Sequence, residues 1–306
     1  MLDVISIGAA TVDIFVKSRD FLVKDNYLSL PLSSKNEISE GLICSGGGAT
    51  NSSVAFSRLG LKSACLSLIG EDLLSQYIYQ DLRQNQVDSS LIISQPNDTT
   101  DYSVILVTSD GSRTILTNRG PTHLESRHFN WELLKNTHWF YTSSLEGNLD
   151  LLEQLIGFAL ENNIKIALNP GNRELKQKAR LLPLLPHLDF FLLNQTEAED
   201  FSGLSASDPQ FWPKISSSGA KICAVTNGRQ GAHVFIQDQK YYSPILNVIP
   251  IDETGAGDSF GSGFVAGLIH GLKPEDALFW GIKNSASVVS RLGAKPGLLT
   301  LNQIRS

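Results

Sequence analysis

The chain of 306 residues is poor in several features that would point elsewhere. It has three cysteines, Cys44, Cys65 and Cys223, an odd number, widely spaced and without metal-ligand spacing. That argues against a disulfide framework or a structural zinc site, and free thiols in a reducing cytoplasm are expected. No apolar run approaches the roughly 18 residues that span a bilayer. Met1 to Gly8 has no basic region and no clear cleavage site, so it reads as a first strand rather than a signal peptide. Lysine and arginine form no block and the net charge is −6, so nucleic acid and anionic membrane are poor partners. Two phosphate-binding fingerprints are missing as well. No G-x-x-x-x-G-K-[ST] occurs, which excludes a P-loop. No G-x-G-x-x-G follows the first strand, where Gly8-Ala9-Ala10 stands, so a dinucleotide-dependent dehydrogenase loses its signature.

What is present is an ordinary globular composition, long enough for one large α/β domain with or without a small appendage. After residue 119 strand and helix patterns alternate. Trp139–Ser143, Ile164–Asn169, Leu188–Leu193 and Lys221–Thr226 read as strands, and Leu149–Asn162 as a helix. Val234–Ile236 and Lys240–Ser243 read as a hairpin. Such alternation predicts a mostly parallel sheet covered on both faces. Ligands then bind beyond the strand C-terminal ends, where Gly8, Glu146, Asn194, Thr226 and Thr254 fall.

The first half differs. Ala64–Ile69 reads as a buried strand, 72–86 as a helix and Leu91–Ser94 as a short strand. Ile14–Val16 and the alternating 21–44 stretch suggest strands with no helix between them. Ser103–Thr108 and Arg113–Asn118 flank Ser109-Asp110-Gly111-Ser112, a hairpin signal. These pieces are expected to form a small projecting sheet. It would be a lid if the site lies beneath it, and otherwise an edge extension or a dimerisation surface. The expected division places 1–13, 45–98 and 119–306 in the α/β domain, and 14–44 and 99–118 in the lid.

One stretch organises the rest. An apolar run, Leu246 to Ile251, leads into Asp252-Glu253-Thr254-Gly255-Ala256-Gly257-Asp258-Ser259-Phe260. Phe260, Phe264 and Leu268 recur at helical spacing and Gly271 is a stop. Turn and helix N-terminal amides converge on one spot that attracts anions. Asp258 at its edge suits a general base acting on a hydroxyl beside a phosphate. A second glycine-rich turn, Cys44 to Asn51, opens a helix carrying Val54, Ala55, Phe56 and Leu59 and ended by Gly60. It can lay backbone against a polar ligand or be merely tight. Asn194 and Glu197 stand three apart at a strand-to-helix turn, either as a ligand pair on one side or as a capping box. Asp13 is either a solvated turn aspartate or a ligand-binding one. Trp131, Trp139, Trp212 and Trp280 read as packing residues, and none of the six histidines falls in a motif.

Asp252-x-Thr254-Gly255-Ala256-Gly257-Asp258-Ser259-Phe260 resembles the C-terminal signature of the PfkB carbohydrate kinase family, also called ribokinase-like. Gly46-Gly47-Gly48-Ala49-Thr50-Asn51 resembles its N-terminal signature, and Gly8 with Asp13 its first substrate loop. Asn194-x-x-Glu197 resembles its N-x-x-E motif, and Thr226 to Gly231 its nucleotide loop. The match runs from residue 3 to about residue 298, with the motifs in order. The resemblance implies a ribokinase-like three-layer α/β/α domain with a mostly parallel central sheet and a small β-sheet lid. It implies ATP-dependent phosphorylation of a small sugar, ribokinase- or fructokinase-like. A nucleoside kinase of the same family is the nearest alternative, and a non-catalytic sugar or nucleotide binder a further one. A homodimer through exposed lid strands is also plausible.

Position by position, the resemblance implies Asp258 as base and the amides of Gly255, Ala256 and Gly257 as the cradle of the transferring phosphoryl group. Asp13, Gly47 and Asn51, with Thr11 nearby, would hold acceptor hydroxyls, and Glu146 a further one. Asn194 and Glu197 would orient Mg²⁺ through its water shell. Thr226, Gly228 and Gly231 would line ATP, with Asn284 near the adenine. Asp252 and Thr254 match positions where relatives bind a monovalent cation, K⁺, with carbonyls of the 289–297 segment. Tyr102 or Phe15 could stack on a base. The chain departs from the family pattern at Glu253, where a small hydroxyl residue is common, and at Asn169, where an acidic residue is common. Arg173 agrees with a frequent arginine.

Overall fold

The computed structural model describes residues 1–25, 27–108, 113–120, 123–237 and 239–306. Its centre is an eight-stranded sheet in the order Gln239–Ser243, Ala232–Ile236, Ile222–Thr226, Phe190–Asn194, Lys165–Leu168, Thr137–Thr142, Leu2–Ile7, Ser63–Leu66. Six strands run parallel, and only the hairpin at one edge is antiparallel. Phe190–Asn194 shows why the inner strands have no polar face. Phe190, Phe191, Leu192 and Leu193 are all buried, two on each side.

The alternation of side chains divides the core into two layers. On one face Ile5, Ile7, Phe140, Phe191 and Leu193 pack with Leu151, Leu152 and Leu155 of the helix Leu149–Glu161. On the other, Val4, Tyr141, Phe190 and Leu192 pack with Phe56 of the helix Gly48–Arg58 and Phe260 and Phe264 of Ala256–Ile269. The last of these carries three small residues, Gly261, Gly263 and Gly267, at close approaches. A β-carbon at Gly263 would lie 3.0 Å from Trp280 O on the neighbouring helix Pro274–Val289. The result is the expected three-layer arrangement.

A second, four-stranded sheet stands apart in the order Arg113–Asn118, Tyr102–Val107, Thr11–Lys17, Glu40–Gly46. Phe15, Ile105 and Val107 are buried together under it, against the part-buried Leu292. The turn expected at Ser109–Ser112 lies outside the described residues.

Several expectations are corrected. The strand of the second sheet begins at Thr11 rather than 14 and pairs Thr11 with Gly46, so Asp13 is a buried strand residue and not a solvated turn aspartate. Leu22–Lys24 and Tyr27–Ser29 pair only with each other. The single strand expected over Ala64–Ile69 is two. Ser63–Leu66 joins the main sheet, while Leu68–Gly70 turns away to pair with Ile93–Gln95. The one polar residue of the run, Ser67, stands at the break, but a single buried serine does not announce a change of partner. The run Leu246 to Ile251, read only as apolar, forms neither helix nor strand, and Ile249 and Ile251 are 85% and 60% exposed.

Phe264 is fully buried and stacks on Phe190 with ring centroids 4.9 Å apart. Truncating it leaves a cavity where two layers meet, so Phe264→Ala should cost about 3–5 kcal/mol of stability in urea denaturation. A loss under about 1 kcal/mol would contradict this packing.

Candidate active site

Two helices start at the same cleft, and neither has a side-chain cap. Gly47 precedes Gly48–Arg58 with φ 89°, and Gly255 precedes Ala256–Ile269 with φ 78°. Their positive ends therefore face a shared space of about 340 Å³. Ala9, Gly48, Ser143, Asn169, Asn194, Glu197, Thr226 and the turn from Gly255 to Asp258 line it. It sits at the C-terminal ends of the parallel strands, as the topology requires.

Gly255 is constrained twice. Its φ is positive, and a β-carbon there would lie 2.5 Å from Ala294 Cβ. Gly257 is different: a β-carbon would meet nothing within 4 Å and would project into open space. The amides of Gly255, Gly257 and Asp258 have no protein acceptor among the described residues, whereas Ala256 N donates to Glu253 O at 3.2 Å. Of the three amides expected to meet an anion, that of Ala256 is thus spent on the turn, and that of Asp258 takes its place.

The carboxylate of Asp258 is held from both sides. Asn51 Nδ2 donates to Oδ2 at 2.9 Å and Asn169 Nδ2 to Oδ1 at 3.1 Å. Desolvation pushes its carboxyl above the ordinary range, opposed by the two amides and by the charge of Lys295. A desolvated carboxylate kept in place by neutral donors can accept a proton without leaving its position. Asn169 entered the sequence reading only as a departure, and its contact with Asp258 spans 89 positions. Asn51 keeps a second resource, since its Oδ1 is buried with no hydrogen-bond partner among the described residues.

Lys295 is a residue that the sequence reading missed. Its ammonium is 5% exposed and donates to Thr50 Oγ1 at 2.9 Å and Asp81 Oδ2 at 2.8 Å, with Ser45 Oγ alongside. Only its place in a stretch of small residues, Gly293-Ala294-Lys295-Pro296-Gly297, hints at burial. Glu174 is another, 1% exposed. It accepts from the amides of Leu145 at 2.7 Å, Gly147 at 2.8 Å and Gly171 at 2.9 Å, and so ties two strand-end loops together. Between them Glu146 is held at φ 57° and paired with Arg119 and Arg173. It lines a smaller recess with Gly8, Ser67, Asp101 and His123.

The other expected residues separate into two groups. Asp13, with Thr11 bonded to its carboxylate, is buried against Gly46. Gly47 sits where any β-carbon would overlap Ala9 O, and its neighbour Gly48 faces the cleft instead. Asn194 and Glu197 form the capping box: Glu197 N donates to Asn194 Oδ1 and Asn194 N to Glu197 Oε2, both at 2.9 Å. Both still line the cleft with Thr226. Gly228 and Gly231 form the turn after Thr226, where a β-carbon at Gly231 would overlap Ser243 O, and neither lines the cleft.

Three expected roles meet competing partners. Asn284 is fully buried and spends its amide on Ser259 O at 2.8 Å and Leu299 N at 3.0 Å, so it cannot reach an adenine. Phe15 is buried under the second sheet and is not free to stack on a base, while Tyr102 is half-buried against the cluster that holds Ala10 and Val12. Asp252, expected in a monovalent-cation set, is paired within the protein. Asp252 Oδ1 accepts from Thr254 N at 3.0 Å, Thr254 Oγ1 at 2.7 Å and Arg113 Nη1 at 2.8 Å, and Oδ2 from Gly293 N at 2.9 Å.

The model of the family described as pfkB family carbohydrate kinase matches residues 1–301. The chain belongs to the PfkB family of carbohydrate kinases. It is therefore a phosphotransferase with a hydroxyl group as acceptor. A ribokinase from Haemophilus influenzae is 27% identical over 84% of this chain and 85% of the relative. Among solved structures, an Arabidopsis thaliana ribokinase complexed with ribose and ATP superposes with TM-score 0.82 at 20% identity, covering 99% of this chain and 97% of that one. A nucleoside kinase from Methanocaldococcus jannaschii gives TM-score 0.80 at 22% identity over 100% of this chain and 97% of that one. At such identities the two structures establish a shared fold.

Two measurements follow for this kinase. Burial raises the Asp13 carboxyl from 3.8 to about 6, against the pull of Lys295 and Thr11. The folded state then binds this proton more tightly than the unfolded one, so stability present at low pH is lost as pH rises through that window. Asp13→Asn should raise stability by up to about 3 kcal/mol near pH 8 and have little effect near pH 4, read by chemical denaturation. A variant less stable near pH 8 would contradict it. Asn284→Ala leaves the amide of Leu299 without its acceptor and should cost about 1–3 kcal/mol with the nucleotide KM unchanged. A raised KM at full stability would restore a binding role.

Proposed function

We propose that this kinase transfers the γ-phosphoryl group of ATP to a hydroxyl of a small sugar, with Asp258 as the base. The observation that carries the reading is the position of Asp258, fixed by Asn51 and Asn169 beside the unpaired amides of Gly257 and Asp258 itself. The acceptor oxygen would give its proton to Asp258 as it attacks the γ-phosphorus, and ADP would leave. Charge developing on the transferring group would be met by amides already oriented and unpaired, which is where most of the rate advantage of such a site arises.

The acceptor side favours a polyol. Asn51 Oδ1 is a buried acceptor that lacks a donor, which a sugar hydroxyl supplies. Glu146 and Asp13 add carboxylates, and Gly47 and Thr11 shape the same region. Neither the cleft nor the recess beside it is lined by Phe, Tyr or Trp among the described residues, and His123 is the one ring among the lining residues, so a nucleobase would find little stacking surface. That observation favours a sugar over a nucleoside. Intact Asp258 and its free amides favour turnover over a non-catalytic binder.

On the nucleotide side, Thr226 lines the cleft, and Gly228 and Gly231 build its following turn. Mg²⁺ entering with ATP would neutralise phosphate charge. The donors present suit contact through water: the capping box uses Glu197 Oε2 and leaves Oε1 without a partner among the described residues, and those residues hold no group of three acidic, His or Cys side chains that could hold a metal. The second sheet is proposed as a lid. On the face opposite Phe15 and Ile105, Ile43 and Leu116 are 49% and 58% exposed, an apolar face suited to a second copy of the chain.

ADP formation measured over a panel of sugars and nucleosides tests the substrate class, and turnover with sugars alone is expected. Asp258→Asn tests the base: kcat should fall about 10²–10⁴-fold, with ATP binding retained. A kcat near that of the parent would overturn the assignment.

A further inference from the structure

Asp252 lies two residues before the turn that faces the anion, and the way its charge is balanced bears on how that turn is held. A carboxylate offers about four lone-pair sites. In this chain three donors crowd Oδ1, Thr254 N at 3.0 Å, Thr254 Oγ1 at 2.7 Å and Arg113 Nη1 at 2.8 Å, and Gly293 N holds Oδ2 at 2.9 Å. Oδ1 is saturated, and a single site, on Oδ2, stays open. Two carbonyls of the segment that would complete a cation site are likewise taken. The carbonyl of Val289 accepts from both Ile251 N at 2.7 Å and Asp252 N at 3.2 Å. That of Lys295 accepts from Arg58 Nη1 at 2.8 Å and Leu298 N at 3.0 Å.

Asp252 is 4% exposed, and a carboxylate so buried needs a positive partner. Arg113 is that partner, and it comes from the second sheet, 139 positions away. Its charge cancels that of Asp252, which removes the electrostatic reason for a bound ion. Asp252 in turn fixes Thr254 through both amide and hydroxyl, and Thr254 leads directly into Gly255.

We propose that Arg113 is a built-in cation, replacing a monovalent ion at Asp252 and fixing the Thr254–Gly257 turn, so that this kinase works without K⁺. Arg113 is a positioning residue, since it acts on the turn through Asp252 and Thr254. The same contact tethers the edge strand Arg113–Asn118 to the anion turn, so the second sheet and the phosphate end of the cleft are set together.

The activity part of the test rests on the kinase reading above, and the rest does not. Wild-type protein and Arg113→Met are each crystallised with Tl⁺ as a K⁺ mimic, melted in KCl and in tetramethylammonium chloride, and assayed in both salts. The wild type should show no thallium at Asp252 and the same Tm and kcat/KM in the two salts. The variant should melt earlier in tetramethylammonium, recover in KCl and bind thallium beside Asp252. Its kcat/KM in tetramethylammonium should drop at least about tenfold, less than the ~10²–10³ lost with a direct oxyanion donor. Thallium at Asp252 in the wild type, or K⁺ activation of the wild type, overturns the proposal. A variant whose Tm is indifferent to K⁺ overturns the equivalence of the guanidinium and the ion. If Arg113→Met does not fold, the wild-type thallium map and salt comparison still decide, and they do so even if no acceptor yields ADP.

Discussion

Asp258 stands at the positive end of a helix, where its carboxylate would be expected to turn back and cap the free amides. It does not, because Asn51 and Asn169 hold both of its oxygens from the opposite side. Much of the architecture serves that restraint. Asn51 comes from a helix whose own start is uncapped and whose first turn is packed under Ser143 and Ala9. Asn169 comes from the end of a parallel strand buried on both faces. The three segments meet only because the main sheet brings its strand ends to one edge and two helices start there. The amides left unsatisfied and the carboxylate left desolvated are local costs, carried by the apolar layers on either side of the sheet.

A second level of control lies behind the turn. Lys295, Asp81, Ser45 and Thr50 form a closed polar cluster beneath the first helix. Arg113 and Asp252 form another beneath the anion turn. Glu174 gathers the amides of the loops that carry Glu146 and Arg173. Each cluster is satisfied internally, and each joins segments distant in the chain, so together they give the cleft a defined shape out of loops.

Much of this was legible in the sequence where one stretch carries its own geometry. The glycines at 47 and 255 announce positive φ, the pair Asn194 and Glu197 announces a helix start, and alternating strand and helix patterns announce the sheet. The match of residues 1–301 to the PfkB family agrees with the motif reading. What stayed hidden depends on distant partners. Ala64–Ile69 reads as one strand, with only Ser67 interrupting it, although its halves pair with different strands. Asn284 looks like a solvated helix residue until its amide is seen bridging Ser259 and Leu299. Asp252 looked ready for an ion because nothing near it in the chain reveals Arg113. Asn169 was noticed for the charge it lacks, while its contribution is the amide it has.

The central claim is that the turn from Gly255 to Asp258 receives the phosphoryl group while Asp258 faces the acceptor hydroxyl. It is tested most directly by a structure of the kinase with ADP, aluminium fluoride and a sugar that supports turnover. The fluoride group should sit within hydrogen-bond reach of the amides of Gly257 and Asp258, with the sugar hydroxyl between it and the Asp258 carboxylate, about 2.6–3.2 Å away. A fluoride group held elsewhere in the cleft, or a sugar whose hydroxyls approach a different carboxylate, would contradict the account.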